Sequence, residues 1–65
     1  MPKEVIFEFV QHGTSVKVTA MDPETLVEVS IVGPASAGQG VLKANALAKL
    51  NYVLAKRRQP PRNSP

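Results

Sequence analysis

Three short segments in the first half of the chain carry the signature of β-strands. They span residues 5–10, 15–20 and 26–32. The first is rich in aromatic and β-branched residues, and the other two alternate apolar and polar side chains, as strands with one buried face do. Gly13 marks a tight turn after the first segment, and Asp22-Pro23 predicts a type I turn after the second. With Gly33-Pro34 closing the third, the pattern predicts an antiparallel meander.

From Ser36 onward the hydrophobic period changes to that of a helix. Ser36 and Gln39 match a capping box, the signature of a helix start. Six apolar residues then fall on one arc at 100° per residue. They are Leu42, Ala46, Leu47, Leu50, Val53 and Leu54. Basic residues at 56–58 complement the negative end of a helix dipole, and Pro60 cannot continue the helix. The segment therefore predicts one amphipathic helix.

Matching the faces of these elements gives a two-layer domain. Phe7, Phe9 and the residues in step with them on the other strands form one sheet face, which receives the apolar arc of the helix. The predicted fold is α+β, a three-stranded antiparallel meander packed on one C-terminal helix (β-β-β-α). It forms a single domain over residues 1–58, and a disordered Pro/Arg tail follows over residues 59–65.

Four runs of the chain together carry a resemblance. They are residues 4–9, 16–20, 28–34 and 46–54. These runs are similar to a family of small uncharacterised bacterial proteins, mainly from alphaproteobacteria, and the likeness spans residues 4–56. The resemblance implies a short β-β-β-α domain of unknown function and carries over no functional residues. It also implies a glycine in the second turn, where this chain has Leu26.

Length and composition exclude several functional classes. Sixty-five residues make one small domain, too short for a doubly wound nucleotide-binding fold or a two-domain enzyme. The absence of cysteine excludes a disulfide, a thiolate nucleophile, an iron–sulfur cluster and a cysteine-ligated zinc site. No stretch approaches the roughly 18 apolar residues of a membrane span, and the Met-Pro-Lys-Glu start lacks a signal-peptide core. We expect a cytoplasmic protein without membrane association.

Candidate catalytic groups are few. His12 is the only histidine and falls in a predicted turn, where no partner or closed pocket supports acid–base chemistry. Glu8 and Glu28 are expected on the outer sheet face with Lys17 on the strand between them. They form a cross-strand ladder if the strand registers align, and they are not expected to act as paired catalytic carboxylates. The glycine-rich segment 33–40 lacks the Lys-Ser/Thr pair of a phosphate-binding loop. We predict no catalytic, cofactor or metal site, and no enzyme.

The net charge of +3 is concentrated at the C-terminus. Residues 1–55 hold four lysines against five acidic residues, whereas residues 56–65 hold four cations and no acid. Those cations are Lys56, Arg57, Arg58 and Arg62. They favour helix capping and solubility, and the alternative is a basic arm that touches nucleic-acid phosphates. No aromatic stacking platform accompanies them.

Two semi-apolar surfaces are predicted to face outward, one on the sheet and one on the back of the helix. The sheet residues are Ile6, Val10, Leu26 and Val32, and the helix residues are Val41, Ala44, Ala48 and Tyr52. On the helix, a 3-4-3-4 spacing of mostly small residues is typical of a helix contact, although alanine is also simply a good helix former. The spacing joins Val41, Ala44, Ala48, Asn51 and Ala55, with Tyr52 and Lys49 as flanks. Two such surfaces expose more apolar area than is usual for a small monomer, and a domain of this size gains stability from self-association. We predict a homodimer.

The sequence thus favours a small, non-enzymatic, self-associating protein-interaction module, with an unidentified protein partner beside the second copy. The alternative is an accessory nucleic-acid-binding protein that uses its basic C-terminal tail for weak contacts.

Overall fold

The computed structural model describes residues 4–58. The elements are β1 (Ile6–His12), β2 (Ser15–Met21), β3 (Glu28–Pro34), a short 3-10 turn (Ala35–Ala37) and α1 (Gln39–Arg58). The strands form one antiparallel sheet with β2 in the centre, and α1 packs on one face of it. The predicted α+β class and β-β-β-α order are confirmed. The predicted tail over residues 59–65 lies outside the described residues.

The turn between β1 and β2 is a two-residue hairpin turn that starts at Gly13. His12 and Ser15 are the pair that closes it. Gly13 has a φ of 61°, and the next residue does not have a positive φ, which is the pattern of a type II′ turn. Glycine adopts this conformation without a steric cost. The turn fixes the register of the sheet, whose central row is Phe9, Val18 and Ile31.

Buried Asp22 organises the loop between β2 and β3. Its carboxylate accepts the Glu24 N–H at 3.0 Å and the Thr25 hydroxyl at 3.1 Å. Its backbone N–H donates to the Val27 carbonyl at 2.9 Å, and its carbonyl accepts the Leu26 N–H at 2.8 Å. The closing hydrogen bond thus reaches Leu26, so the loop is one residue longer than the predicted type I turn.

The prediction that the third strand covers residues 26–32 is wrong at both ends. β3 runs from Glu28 to Pro34, so Gly33 and Pro34 are its last two residues. Leu26 has a φ of +64°, whereas strand residues need a strongly negative φ. The glycine that the family resemblance implies in this turn would adopt the observed φ at no steric cost.

The helix begins later than the capping-box pattern predicts. Ser36 lies inside the 3-10 turn, and Gly38 follows it with a φ of 89°. The Leu42 N–H donates to the Gly38 carbonyl at 3.2 Å, which makes Gly38 the N-cap residue of α1. The predicted capping box of Ser36 with Gln39 is therefore wrong, because the cap position holds a residue without a side chain.

The core lies between the inner face of the sheet and the predicted apolar arc of α1. Its buried members are Val16, Val18, Ala20, Val29, Leu42, Ala46, Leu50 and Leu54. The helix approaches the sheet closely at Gly33, where an added Cβ would lie 2.5 Å from Cδ2 of Leu42. Glycine at this strand position is what allows Leu42 to sit against the sheet.

The helix covers only part of the inner sheet face. It packs against β2 and β3 and contacts β1 much less. Every buried strand residue of the core consequently lies on β2 or β3, while Phe7 and Phe9 of β1 are only half-buried. Lys43 extends from α1 over the Phe7 ring, with its Nζ 4.9 Å from the ring centroid.

Candidate interaction surfaces

The outer face of the sheet, which α1 leaves uncovered, carries three exposed apolar side chains. Ile6 is 51% exposed, Val10 39% and Val32 70%. Val10 and Val32 lie on either side of Lys17 in one cross-strand row. Leu26, which was predicted on this face, lies instead in the β2–β3 loop, where it is also highly exposed. The surface is therefore smaller than predicted and is interrupted by a charge.

The predicted ladder of Glu8, Lys17 and Glu28 is wrong. In the observed register the three charged residues lie in different rows: Glu8 with Thr19 and Ser30, Lys17 with Val10 and Val32, Glu28 with Met21 and Ile6. Side chains interact across strands mainly within a row. In the row of Glu8, the other two residues hydrogen-bond to each other, with 3.0 Å between the hydroxyl oxygens of Thr19 and Ser30.

The back of α1 presents the predicted small-residue surface to solvent. Its four members, Val41, Ala44, Ala48 and Tyr52, are all exposed. The Nζ of Lys56 lies 5.5 Å from the centroid of the Tyr52 ring, a cation–π contact within the helix. Within residues 4–58, no helix is long and apolar enough to cross a membrane.

The two edges of the sheet differ in how accessible their backbone groups are. On the outer edge of β3, Lys49 of α1 donates from Nζ to the Ser30 carbonyl at 2.9 Å. Pro34 at the end of the same strand has no N–H to offer. Lysine and proline are residues by which natural sheets protect an edge against pairing with another strand. β1 contains neither residue, so its edge lacks this protection.

Sequence reasoning missed this asymmetry of the edges. In the sequence, Lys49 is only a flank of the small-residue surface of the helix, because its contact with the Ser30 carbonyl depends on the angle at which α1 crosses the sheet. Pro34 was the available signal, since proline within a strand indicates an edge position.

A hollow of about 410 Å³ opens where α1 starts above the sheet. Its walls are apolar at Phe9, Val16 and Leu42 and polar at Gln11 and Gln39, with Ala35 and Gly38 completing the lining. None of these side chains ionises between pH 4 and pH 10. Among the residues that the structure describes, the hollow therefore brings together no acid, base or charged ligand group.

The remaining candidate groups do not converge on one place. His12 is exposed at the end of β1, and residues 4–58 contain no cluster of three His, Asp or Glu residues that could hold a metal ion. Lys56 and Arg57 are exposed in the last turn of α1. The Arg58 side chain and Arg62, which were predicted to contact nucleic acid, lie outside what the structure describes.

Comparison with known proteins places the chain in a family. A family model, "Domain of unknown function (DUF6898)", matches residues 2–57, which include all three strands and all but the last residue of α1. No curated protein and no solved structure matches the chain. The bacterial, mainly alphaproteobacterial distribution that the resemblance implied stays an expectation. The chain belongs to the DUF6898 family of domains of unknown function.

Proposed function

We propose that this domain is a non-enzymatic, self-associating protein-interaction module. One observation carries the proposal: β1 leaves apolar side-chain area in water on both of its faces. Ile6 and Val10 are exposed on the outer face, while Phe7 and Phe9 on the inner face pack against the core but stay only half-buried, since α1 contacts β1 much less than β2 and β3. Apolar residues on both faces of a strand are typical of a sheet that is covered on both faces, so β1 of a single copy leaves apolar area that a second copy can cover.

The size of the domain supports the same proposal. A chain of about 60 residues buries only about 60% of the surface that its unfolded state exposes. Each half-buried phenylalanine leaves apolar area in water, and covering that area contributes roughly 25 cal/mol per Å². In a dimer, each of the two copies would bury the apolar residues of its own β1, so the gain counts once for each copy.

The absence of converging ionisable groups around the hollow supports a non-enzymatic role. General acid–base and nucleophilic catalysis need a reactive group and a partner within hydrogen-bond reach. The hollow offers two amide side chains, Gln11 and Gln39, among apolar walls.

Light scattering coupled to size-exclusion chromatography tests the proposal on the full chain. We expect the mass to rise from the 7.0 kDa of one chain to twice that value between low and high micromolar concentration. A mass that stays at one chain at high micromolar concentration would refute self-association.

A second candidate function rests on the segregation of charge. Four cations and no acid follow residue 55, while the preceding residues are close to neutral. Such an arm would neutralise at most four phosphates, so the logarithm of its binding constant for duplex DNA would fall with log salt with a slope no steeper than about −3.6.

Fluorescence anisotropy with labelled DNA would test this second function at low and physiological salt. The comparison is between the full chain and a variant in which Lys56, Arg57, Arg58 and Arg62 are all changed to glutamine. Binding that disappears in the variant supports the basic arm, and equal binding by both proteins contradicts it.

A further inference from the structure

We propose that two copies of this chain join through the open edge of β1, in antiparallel orientation, to form one continuous six-stranded sheet. This inference rests on the proposed self-association and specifies its geometry. It places the interface on neither of the surfaces predicted from the sequence, the outer sheet face and the back of α1.

The hairpin turn determines which backbone groups of β1 point outward from the sheet. In a two-residue hairpin the closing residues, here His12 and Ser15, form a hydrogen-bonded pair, and hydrogen-bonded pairs recur at every second residue. The even-numbered residues of β1 therefore bond to β2. The N–H and C=O groups of Phe7, Phe9 and Gln11 point to the open edge.

Two observed hydrogen bonds confirm this alternation on the opposite side of β2. The Asp22 N–H donates to the Val27 carbonyl at 2.9 Å, and the Ala35 N–H donates to the Thr14 carbonyl at 2.8 Å. Both bonds use even-numbered residues on the β2 side, so the odd-numbered residues of β2 bond to β1. On β3 the same alternation turns the Ser30 carbonyl outward, where Lys49 occupies it. An outward-facing carbonyl of β3 therefore has a hydrogen-bond donor from α1, whereas the outward-facing backbone groups of β1 face the open edge.

Overlap and charge select one register for the pairing. Placing Phe9 across from Phe9 of the second copy pairs all seven residues of Ile6–His12. Glu8 then lies across from Val10 of the second copy, which in turn neighbours Lys17 of that same copy. The row thus brings a glutamate of one copy and a lysine of the other to the two sides of Val10. A shift of the pairing that places Glu8 across from Glu8 opposes like charges and is disfavoured.

The same register joins the two cores. The central inner row, Phe9, Val18 and Ile31, continues into its counterpart in the second copy, so that the two Phe9 side chains are neighbours. Aromatic cross-strand pairs are among the most favourable in sheets. The arrangement covers the flank of β1 that α1 leaves uncovered.

The test uses two matched substitutions on the outer face. Val10→Glu and Val32→Glu each place a glutamate next to Lys17, on its two sides, so their effects on the fold should be similar. Only Val10→Glu would also place that glutamate across from Glu8 of the second copy, at two symmetric positions. Because like charges directly opposite are destabilising, and the substitution creates two such pairs, we expect about a tenfold weakening of dimerisation.

The combined variant Glu8→Lys with Val10→Glu should restore dimerisation, because it places opposite charges across the interface. Sedimentation equilibrium of the four proteins distinguishes the outcomes. Weakening by Val10→Glu alone, with rescue in the combined variant, supports the β1 edge. Weakening by Val32→Glu alone, or equal weakening by both, places the interface elsewhere and overturns the inference while self-association stands. A wild-type chain that stays monomeric refutes both the inference and the proposed function.

Cysteine substitution tests the register, since the chain has no cysteine of its own. Opposite residues of a non-hydrogen-bonded pair have Cα atoms about 4.5 Å apart, within disulfide reach, whereas the diagonal positions are about 7–8 Å apart. A mixture of Glu8→Cys and Val10→Cys chains should therefore oxidise to a covalent dimer of the two variants. Either variant alone should cross-link poorly. Efficient cross-linking of one variant with itself, or no cross-linking in the mixture, would overturn the register.

Discussion

Leu26 provides a test of the backbone geometry of the β2–β3 loop. Its φ of +64° lies in the left-handed region, which costs a residue with a Cβ roughly 1–2 kcal/mol. Glycine avoids that cost but loses about 0.5–1 kcal/mol more backbone entropy than alanine on folding. The difference predicts that L26G is more stable than L26A by about 0.5–1 kcal/mol. Comparing the two variants removes the contribution of the leucine side chain, which both lack.

Glu24 is the matched control, since it is exposed in the same loop and does not have a positive φ. At this position the entropy term acts alone, so E24A should be more stable than E24G by about 0.5–1 kcal/mol. The preference for glycine over alanine should thus change sign within two residues.

Urea denaturation followed by circular dichroism measures the four variants. It should be run at low micromolar concentration, because self-association would add a concentration-dependent term to the free energy of unfolding. Alanine more stable than glycine at both positions would refute the left-handed conformation of Leu26.

Three further stability predictions follow from the core and the loop, each measured by urea or thermal denaturation. Leu50 is fully buried, so Leu50→Ala should lower the free energy of unfolding by about 2–5 kcal/mol, and a loss below 1 kcal/mol would contradict its place in the core. Gly33→Ala should cost about 1–3 kcal/mol through overpacking against Leu42. Leu42→Ala should then cost less in the Gly33→Ala background than in the wild type, and strict additivity would argue against their contact. Asp22→Ala should cost about 1–3 kcal/mol because it removes the acceptor of two hydrogen bonds, whereas an unchanged midpoint would mean that this carboxylate does not hold the loop.

The fold was predictable because its main signals are local. Period two in the strands and the arc of Leu42, Ala46, Leu50 and Leu54 specify which side of each element is buried. Gly13 specifies the first hairpin turn. These features depend on residues a few positions apart, so the sequence alone indicates them.

The details that were wrong depend on neighbours or on backbone conformations that residue type does not reveal. A leucine in the left-handed region is rare, so the pattern extended the third strand through Leu26. The ladder of Glu8, Lys17 and Glu28 depended on the strand register, and the observed register places the three residues in three different rows. Ser36 was a suitable cap residue, but the 3-10 turn moved the helix start beyond it.

The sequence indicated which apolar side chains are exposed, but not where the helix lies on the sheet relative to them. Exposure of Ile6, Val10 and Val32 followed from their alternation in the strands. The half-buried state of Phe7 and Phe9 did not, because it depends on which two of the three strands the helix covers. That lateral offset of α1 is what leaves β1 as the proposed site of association.

Residue-resolved amide hydrogen exchange by NMR, at low and high concentration of the full chain, tests the central claim most directly. In the monomer the Phe7, Phe9 and Gln11 amides face the open edge of β1 and should exchange fast, while the even-numbered amides of β1 bond to β2 and should exchange slowly. At high concentration we expect these three amides to change from fast to slow exchange, as β1 pairs with its counterpart. Fast exchange of all three at every concentration would contradict association through this edge.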